Sequence, residues 1–202
     1  MLSVITLDLE GVLVPEIWID FAAITKIDEL KLTTRDIPDY DVLMKKRLGI
    51  LKANGLKLAD IQNVISKMDP MEGAKEFLDG LRRKTQVVIL SDTFTQFAGP
   101  LMEKLGLPTI FCNTLITDSA GNVVDYKLRQ KDGKKIAVQG FQSMGLKVFA
   151  AGDSYNDTGM LTTAEKGFFF CPPDSILSQF PQIPVTRNYQ ELGAAFDLCL
   201  SE

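Results

Sequence analysis

Four short apolar runs, separated by stretches of helical periodicity, constrain the fold of this chain more than any other feature. The runs cover residues 4–7, 87–90, 148–151 and 168–170. They are rich in branched and aromatic residues, which is typical of parallel strands buried on both faces of a sheet. Helical patterns alternate with them over roughly 94–105, 134–145 and 157–165. The sequence therefore predicts the α/β class, with a Rossmann-like, doubly wound parallel sheet as its core.

Residues 14–75 carry a different pattern, which is helical and contains no strand-like run. This stretch is punctuated by Pro15, Pro38, Gly55 and Pro70. A helical block inserted directly after the first strand would form a small cap over the ends of the sheet. We therefore expect two domains, an α/β core of residues 1–13 and 76–202 and a helical cap of residues 14–75. Within the core, residues 119–122 separate two strand-like runs and predict a hairpin at its edge.

Composition and charge argue against several classes of partner. The 202 residues carry a formal net charge of −4, and the scattered lysines and arginines form no basic stripe of the kind that binds nucleic acid. No apolar run is long enough to span a bilayer, and the first residues lack the features of a signal peptide. Three widely spaced cysteines are typical of buried free thiols in a reducing cytoplasm. These features favour a cytoplasmic protein that acts on a small molecule.

Polar side chains follow three of the predicted strands. They are Asp8 and Glu10 after the first strand, Ser91 and Asp92 after the second, and Asp153 and Asp157 after the third. In open α/β sheets, ligands bind at the carboxyl ends of the strands, near a change in strand order. We therefore expect these six side chains to face one crevice.

Crowded carboxylates favour a bound cation at that crevice. They repel one another, and burial raises the cost of their charge. A site with only oxygen ligands suits Mg²⁺ best, and Mg²⁺ can orient a phosphate and neutralise its charge. Because the chain contains no histidine, imidazole chemistry is excluded. An aspartate can instead act as the nucleophile toward phosphorus.

In order and spacing, these residues resemble the four motifs of the haloacid dehalogenase superfamily of phosphatases. The matching segments are Asp8-Leu9-Glu10-Gly11-Val12, Ser91 after its apolar run, a downstream lysine, and Gly152-Asp153-Ser154-Tyr155-Asn156-Asp157. Within the superfamily, the helical block after the first strand resembles the cap of the phosphoserine phosphatases. Each motif alone could be an ordinary turn or helix cap, but their joint order favours an enzyme.

The resemblance implies a role for each matching residue of the core. Asp8 matches the nucleophile that becomes phosphorylated, and Glu10 matches the general acid and base. Ser91 matches the hydroxyl that binds a phosphate oxygen, and Asp92 follows it where relatives often have glycine. Lys134 matches the lysine that neutralises the phosphoryl oxygens, although Lys131 in the same stretch stays an alternative.

The resemblance also implies the metal ligands. Asp153 matches a carboxylate ligand of Mg²⁺, together with Asp8, Asp157 and the backbone carbonyl of Glu10. Asn156 matches a residue that supports the metal and the phosphate.

Two residues of the cap match the residues that select phosphoserine. Glu16 matches the acid that pairs with the substrate ammonium, and Arg47 matches the arginine that pairs with its carboxylate. Arg47 also shares a helical face with Leu43 and Ile50. An arginine among apolar neighbours suggests a guanidinium aimed at a carboxylate.

The function implied is that of a Mg²⁺-dependent phosphoserine phosphatase acting through an aspartyl-phosphate. Transfer of the phosphoryl group to an alcohol such as homoserine is a related activity that the resemblance also implies. A phosphatase for another small ester and a non-catalytic module that binds metal or phosphate stay open. The oligomeric state is open as well, with a homodimer as one option.

Overall fold

A seven-stranded sheet organises the chain in a computed structural model that describes residues 2–33, 36–37 and 39–201. The strands are β1 (Ser3–Leu7), β2 (Gln86–Phe94), β3 (Thr109–Thr117), β4 (Val123–Lys127), β5 (Lys147–Gly152), β6 (Lys166–Phe170) and β7 (Val185–Thr186). Their order in the sheet is β4-β3-β2-β1-β5-β6-β7. β4 runs antiparallel to β3, and every other neighbouring pair is parallel. The predicted α/β fold class is confirmed.

Helices cover both faces of this sheet. They are α1 (Ile17–Thr25), α2 (Tyr40–Ala53), α3 (Leu58–Ile65), α4 (Ala74–Arg82), α5 (Thr95–Lys104), α6 (Gly133–Ser143), α7 (Thr158–Thr163), α8 (Asp174–Leu177) and α9 (Tyr189–Ser201). Short 3₁₀ turns occur at Asp28–Lys31 and Tyr155–Asp157. Alternate strand residues point to opposite faces, so Ile5 packs with α4, α5 and α9 while Val4 packs with α6, α7 and α8.

The strands differ from the predicted ones mainly at their ends. β2 continues past residue 90 to Phe94, and its register against β3 shifts between Leu90 and Phe94. Ser91 therefore lies within the distorted last part of a strand rather than in a turn that follows it. The hairpin predicted around residues 119–122 is present as the antiparallel pair β3 and β4. The parallel pairing of β3 with β2, and the short strand β7, were not predicted.

Helices α1, α2 and α3 form the block between β1 and α4. Their apolar side chains belong to the same buried cluster as the sheet, because Phe21, Met44 and Ile61 join it from the three helices. Trp18 of α1 also packs edge-on against Phe97 of α5, with ring centroids 5.4 Å apart. Because these helices follow one another between β1 and α4, we propose that they form the predicted cap and that the rest of the chain forms the core. Pro38, which was expected to punctuate the cap, lies outside the described residues.

Among the described residues, no helix is both long and apolar enough to cross a bilayer. The cysteines are not joined by disulfide bonds, but the expectation that all of them are buried is wrong. Cys171 is exposed, and Cys112 and Cys199 are only partly buried.

Candidate active site

The predicted acids meet where the central strands end. β2, β1 and β5 are neighbours in the sheet, so Ser91 and the residues that follow β1 and β5 share one edge. The Asp8 amide continues the ladder by donating to the Ala151 carbonyl at 3.0 Å. Asp8, Asp153 and Asp157 each offer a carboxylate oxygen, and these atoms all lie within 4.8 Å of one another. The structure therefore brings three of the predicted residues into one cluster.

Lys134 lies at the centre of this cluster. It is the second residue of α6 and only 6% exposed. Its Nζ lies 2.8 Å from Asp8 Oδ1, 2.7 Å from Asp157 Oδ1 and 3.9 Å from Asp92 Oδ2. Burial opposes the positive charge, but the three acids outweigh it and raise the pKa of Lys134 well above its ordinary value. Lys131, the alternative lysine, is exposed.

Asp157 is fully buried, and donors already occupy both of its carboxylate oxygens. Oδ1 accepts from Lys134, and Oδ2 accepts from the amides of Asp153 and Ser154 at 3.0 Å each. Asp157 therefore fixes the position of Lys134 relative to the loop that follows β5. The hydrogen bonds of Asp8 are confined to one oxygen: Oδ1 contacts Lys134 and accepts from the Leu9 amide at 2.7 Å, and no donor to Oδ2 is found among the described residues.

Two glycines make room for these carboxylates. A Cβ added to Gly152 would lie 2.3 Å from Cγ of Asp157, and a Cβ added to Gly11 would lie 2.5 Å from the carboxylate of Asp153. Gly11 also has φ of 76°, a conformation that side chains rarely adopt. The glycine in each motif is thus required by the close approach of an acid.

Two acids of the cluster, Asp8 and Asp153, have a pKa above that of an isolated carboxyl group. Burial, followed by the charge of Asp157, raises the pKa of Asp8, although Lys134 opposes the shift. Burial, followed by the charges of Asp157 and Glu16, raises the pKa of Asp153 to about 7. Oxygen ligands held this close without matching positive charge fit a hard divalent cation. The cluster is therefore a candidate metal site.

Glu10 lies beside the cluster, two residues beyond Asp8. Its Oε2 accepts from the Ile17 amide at 2.9 Å, at the start of α1. Burial of this carboxylate, followed by the charge of Glu16, raises the pKa of Glu10 to about 7. A carboxyl group with this pKa can both give and take a proton near neutral pH.

Polar residues form the exposed rim of the crevice. Asn156 Nδ2 donates to Asp92 Oδ2 at 2.9 Å, and both residues are exposed. Ser91 is buried, and its hydroxyl oxygen accepts from the Thr93 amide at 3.2 Å. The Ser91 hydroxyl hydrogen is therefore still available to a ligand.

Arg47 of α2 is buried in the cap, 7% exposed, with its guanidinium over the Trp18 ring at 4.4 Å. Nη2 donates to the Leu32 carbonyl at 2.8 Å, while buried Nε has no hydrogen-bond partner among the described residues. Burial lowers the pKa of Arg47 to about 10, and the charge of Glu10 opposes that shift. A buried arginine is usually paired with a carboxylate, but no described carboxylate forms an ion pair with this guanidinium.

Glu16 lies at the N-cap of α1 and makes no capping hydrogen bond through its side chain. Its charge raises the pKa of both Glu10 and Asp153. Glu16 therefore lies close enough to both carboxyl groups for its charge to act on them.

Two further residues contact the rim and were not predicted. Tyr40 donates its hydroxyl hydrogen to the Asp92 carbonyl at 3.3 Å, and Asn113 Nδ2 donates to the same oxygen at 3.0 Å. Tyr40 precedes Arg47 by seven residues, which places both on one helical face, so periodicity could have identified it. Asn113 lies in β3, whose pairing with β2 was not predicted.

Known proteins similar to this chain carry related names. Residues 2–165 match the family described as haloacid dehalogenase-like hydrolase. Phosphoserine phosphatase of Pseudomonas syringae pv. tomato is 59% identical over 190 residues, which are 94% of this chain and 80% of that protein. Phosphoserine phosphatase ThrH of Pseudomonas aeruginosa is 56% identical over 195 residues, 96% of this chain and 95% of that protein. A solved structure of phosphoserine phosphatase in apo form matches with a TM-score of 0.77 at 25% identity, covering 95% of this chain and 98% of that one.

The raised pKa values predict that cation binding depends on pH. A divalent cation needs the ionised carboxylates, and Asp153 with its pKa of about 7 is protonated below that value. The affinity for the cation is therefore close to its maximum at pH 8 and falls as the pH drops through 7. At pH 6 it is about tenfold lower if binding displaces one proton. Calorimetric titration with MgCl₂ at both pH values, in two buffers of different protonation enthalpy, measures the affinity and the protons released.

Asp79→Asn provides the control for this titration. Asp79 pairs with Lys75 on the surface at 2.5 Å, and this partner lowers the pKa of Asp79. Its replacement leaves the pH dependence unchanged if the cluster is the site. An affinity that is equal at pH 6 and pH 8 would contradict the assignment.

Proposed function

Because the chain belongs to the haloacid dehalogenase-like hydrolases, we propose that it hydrolyses O-phospho-L-serine to serine and phosphate through a phosphorylated Asp8. The single observation that carries the substrate assignment is Arg47, a buried guanidinium with an unsatisfied Nε. The acids at the strand ends support the reaction type. The relatives named phosphoserine phosphatase, at 56% and 59% identity, support the same substrate.

Asp8 is the proposed nucleophile because its position leaves one oxygen to react. Lys134 and the Leu9 amide hold Oδ1, so Oδ2 attacks phosphorus. The phosphorus–oxygen bond to serine breaks as the bond to Asp8 forms. Lys134 then lies beside the phosphoryl oxygens and offsets their charge.

Glu10 is the proposed acid and base of both half-reactions. Its carboxyl proton goes to the departing serine oxygen in the first step. In the second step a water molecule attacks phosphorus, Glu10 accepts its proton, and Asp8 is released. The pKa of about 7 suits a group that must take both roles.

The acidic cluster fits Mg²⁺, which supplies charge neutralisation at the phosphoryl group when bound. We propose Asp8, Asp153 and the backbone carbonyl of Glu10 as ligands. Asp157 was expected to be a ligand as well, but its oxygens already accept from Lys134 and two amides. It is better suited to orient Asp153 and Lys134.

Ser91 and Asn156 complete the proposed phosphate site. The Ser91 hydroxyl donates to a phosphate oxygen while its own oxygen stays on the Thr93 amide. Asn156 donates to Asp92 Oδ2, which fixes this extra carboxylate at the rim, 3.9 Å from Lys134.

Arg47 and Glu16 are the proposed contacts to the amino acid part of the substrate. The free Nε of Arg47 and one terminal nitrogen can bind a carboxylate through two parallel hydrogen bonds. Glu16, near Glu10 and Asp153 by its effect on their pKa values, offers a negative charge to the ammonium group. Both ends of serine are thereby recognised.

Arg47→Met is predicted to weaken phosphoserine turnover and to spare p-nitrophenyl phosphate, which has no carboxylate. Methionine keeps much of the volume over Trp18 but removes the charged hydrogen bonds, a loss on the order of 2–5 kcal/mol. That range corresponds to a fall in kcat/KM of roughly 30-fold or more. Steady-state kinetics on both esters with Mg²⁺ measures the difference.

Arg82→Met, on the exposed side of α4, is the matched control and leaves both esters unaffected. Arg47→Lys restores little, because a lysine cannot form the paired contact. Equal losses on both esters would show that Arg47 supports the cap instead. Unchanged kinetics on both would refute the phosphoserine assignment and favour another small phosphate ester.

Transfer from Asp8 to homoserine is the second candidate, and Asp92 is the observation that favours it. This acid stands at the rim, 3.9 Å from Lys134, where it could meet the ammonium group of an incoming amino alcohol. With homoserine added, we predict that free phosphate falls below the serine released and that O-phosphohomoserine accounts for the difference. Asp92→Asn would reduce this share while preserving hydrolysis. Equal release of serine and phosphate at every homoserine concentration would exclude transfer.

A further inference from the structure

Tyr126 of β4 links the hairpin to the first turn of α2. Its hydroxyl donates to Asp41 Oδ1 at 2.7 Å. Its ring packs edge-on against Tyr40, with centroids 5.8 Å apart, and lies 6.2 Å from the ring of Phe94 in β2. One side chain of the edge hairpin thus contacts both the cap and a central strand.

Tyr40 continues this link to the candidate active site. Its hydroxyl donates to the carbonyl of Asp92, the residue after Ser91. Asn113 of β3 donates to the same carbonyl. The hairpin strand β3 and the cap helix α2 therefore meet on one backbone oxygen beside the phosphate-binding serine.

Arg47 lies farther along the same face of α2. Tyr40, Met44 and Arg47 follow at spacings of four and three, so they point the same way. Met44 is fully buried, and its sulfur lies 3.8 Å from Nη1 of Arg47. A helix rises about 1.5 Å per residue, so Arg47 lies about 10 Å along the axis of α2 from Tyr40, in the same continuous helix.

The hairpin supports the cap at a second point. Its turn accepts a hydrogen bond at the Gly121 carbonyl from the Leu58 amide, at 3.0 Å. Lys57 and Asn122 form a bridge at the same place. The hairpin therefore contacts both α2, through Tyr126, and α3, through Gly121 and Asn122.

We propose that Tyr126 is a positioning residue for substrate selection, which fixes Arg47 relative to Asp8 through Asp41 and Tyr40. This inference rests on the proposed function, because it gives Arg47 the substrate carboxylate. Loss of the hydrogen bond between Tyr126 and Asp41 then weakens binding of the amino acid part of the substrate and leaves the chemistry at phosphorus intact. A contact that only stabilised the fold would affect all substrates alike.

Tyr126→Phe tests the hydroxyl alone. The KM for phosphoserine is expected to rise about threefold to tenfold, the range for loss of one hydrogen bond. The kcat for phosphoserine and the kcat/KM for p-nitrophenyl phosphate stay within twofold of the parent values. The melting temperature is unchanged. Tyr126→Leu, which also removes the ring contacts to Tyr40 and Phe94, raises KM further.

Asp41 supplies the partner variants. Asp41→Ala reproduces the Tyr126→Phe effect, and the double variant is no worse than either single one if the two act as a pair. Asp41→Asn retains an oxygen that can accept from Tyr126, so its KM for phosphoserine stays at the parent value, unlike that of Asp41→Ala. Lys45→Met is the matched control, because Lys45 pairs with the same carboxylate at 2.5 Å on the exposed side and contributes little there.

A selective rise in the KM for phosphoserine supports the inference, and parallel losses on both esters or no change in KM overturn it. If the parent enzyme does not turn over phosphoserine, the proposed function fails by itself. Hydrogen exchange of α2 then decides the positioning role. Faster exchange of residues 40–47 in Tyr126→Phe than in Lys45→Met supports it, and equal exchange in the two variants overturns it.

Discussion

The ion pairs of buried Lys134 are the interaction on which the rest of the site depends. One ammonium group lies within 2.8 Å of both Asp8 and Asp157, and Asp153 completes the cluster. Taking ions out of water costs several kcal/mol each even after relaxation. Three carboxylates around one ammonium still leave negative charge, which appears as raised pKa values at Asp8 and Asp153. The same excess that costs stability creates the place for a divalent cation.

The residues proposed for the chemistry and those proposed for substrate selection belong to different parts of the chain. The central strands and α6 position the acids and Lys134, because parallel strands end at one edge of the sheet. Substrate selection is proposed for Glu16, the N-cap residue of α1, and for Arg47 of α2. A single apolar cluster spans the cap helices and one face of the sheet, so the two parts share one core. Hydrogen bonds from Tyr40 to the Asp92 carbonyl and from Tyr126 to Asp41 also join the cap to the core.

The sequence predicted the parts of this arrangement that depend on short-range pattern. The buried runs before Asp8 and Asp153 identified strands, and a strand end fixes where the next acid must lie. Arg47 was predicted from the family resemblance, and its place on an apolar helical face supported that prediction. The exposed state of Cys171 and the extension of β2 beyond Leu90 were missed, since both depend on loops and on pairing with distant segments. Asn113 and Tyr126 were missed for the same reason: their partners lie in other elements, and no local periodicity points to them.

Trapping the phosphoryl group tests the central claim most directly. Acid quenching during phosphoserine turnover with Mg²⁺, followed by peptide mapping in a mass spectrometer, locates any covalent phosphate. We predict that phosphate is attached to Asp8 in the parent enzyme and that Asp8→Asn shows neither phosphopeptide nor turnover while keeping its fold. Phosphate on another side chain, or turnover retained in Asp8→Asn, would contradict the covalent mechanism.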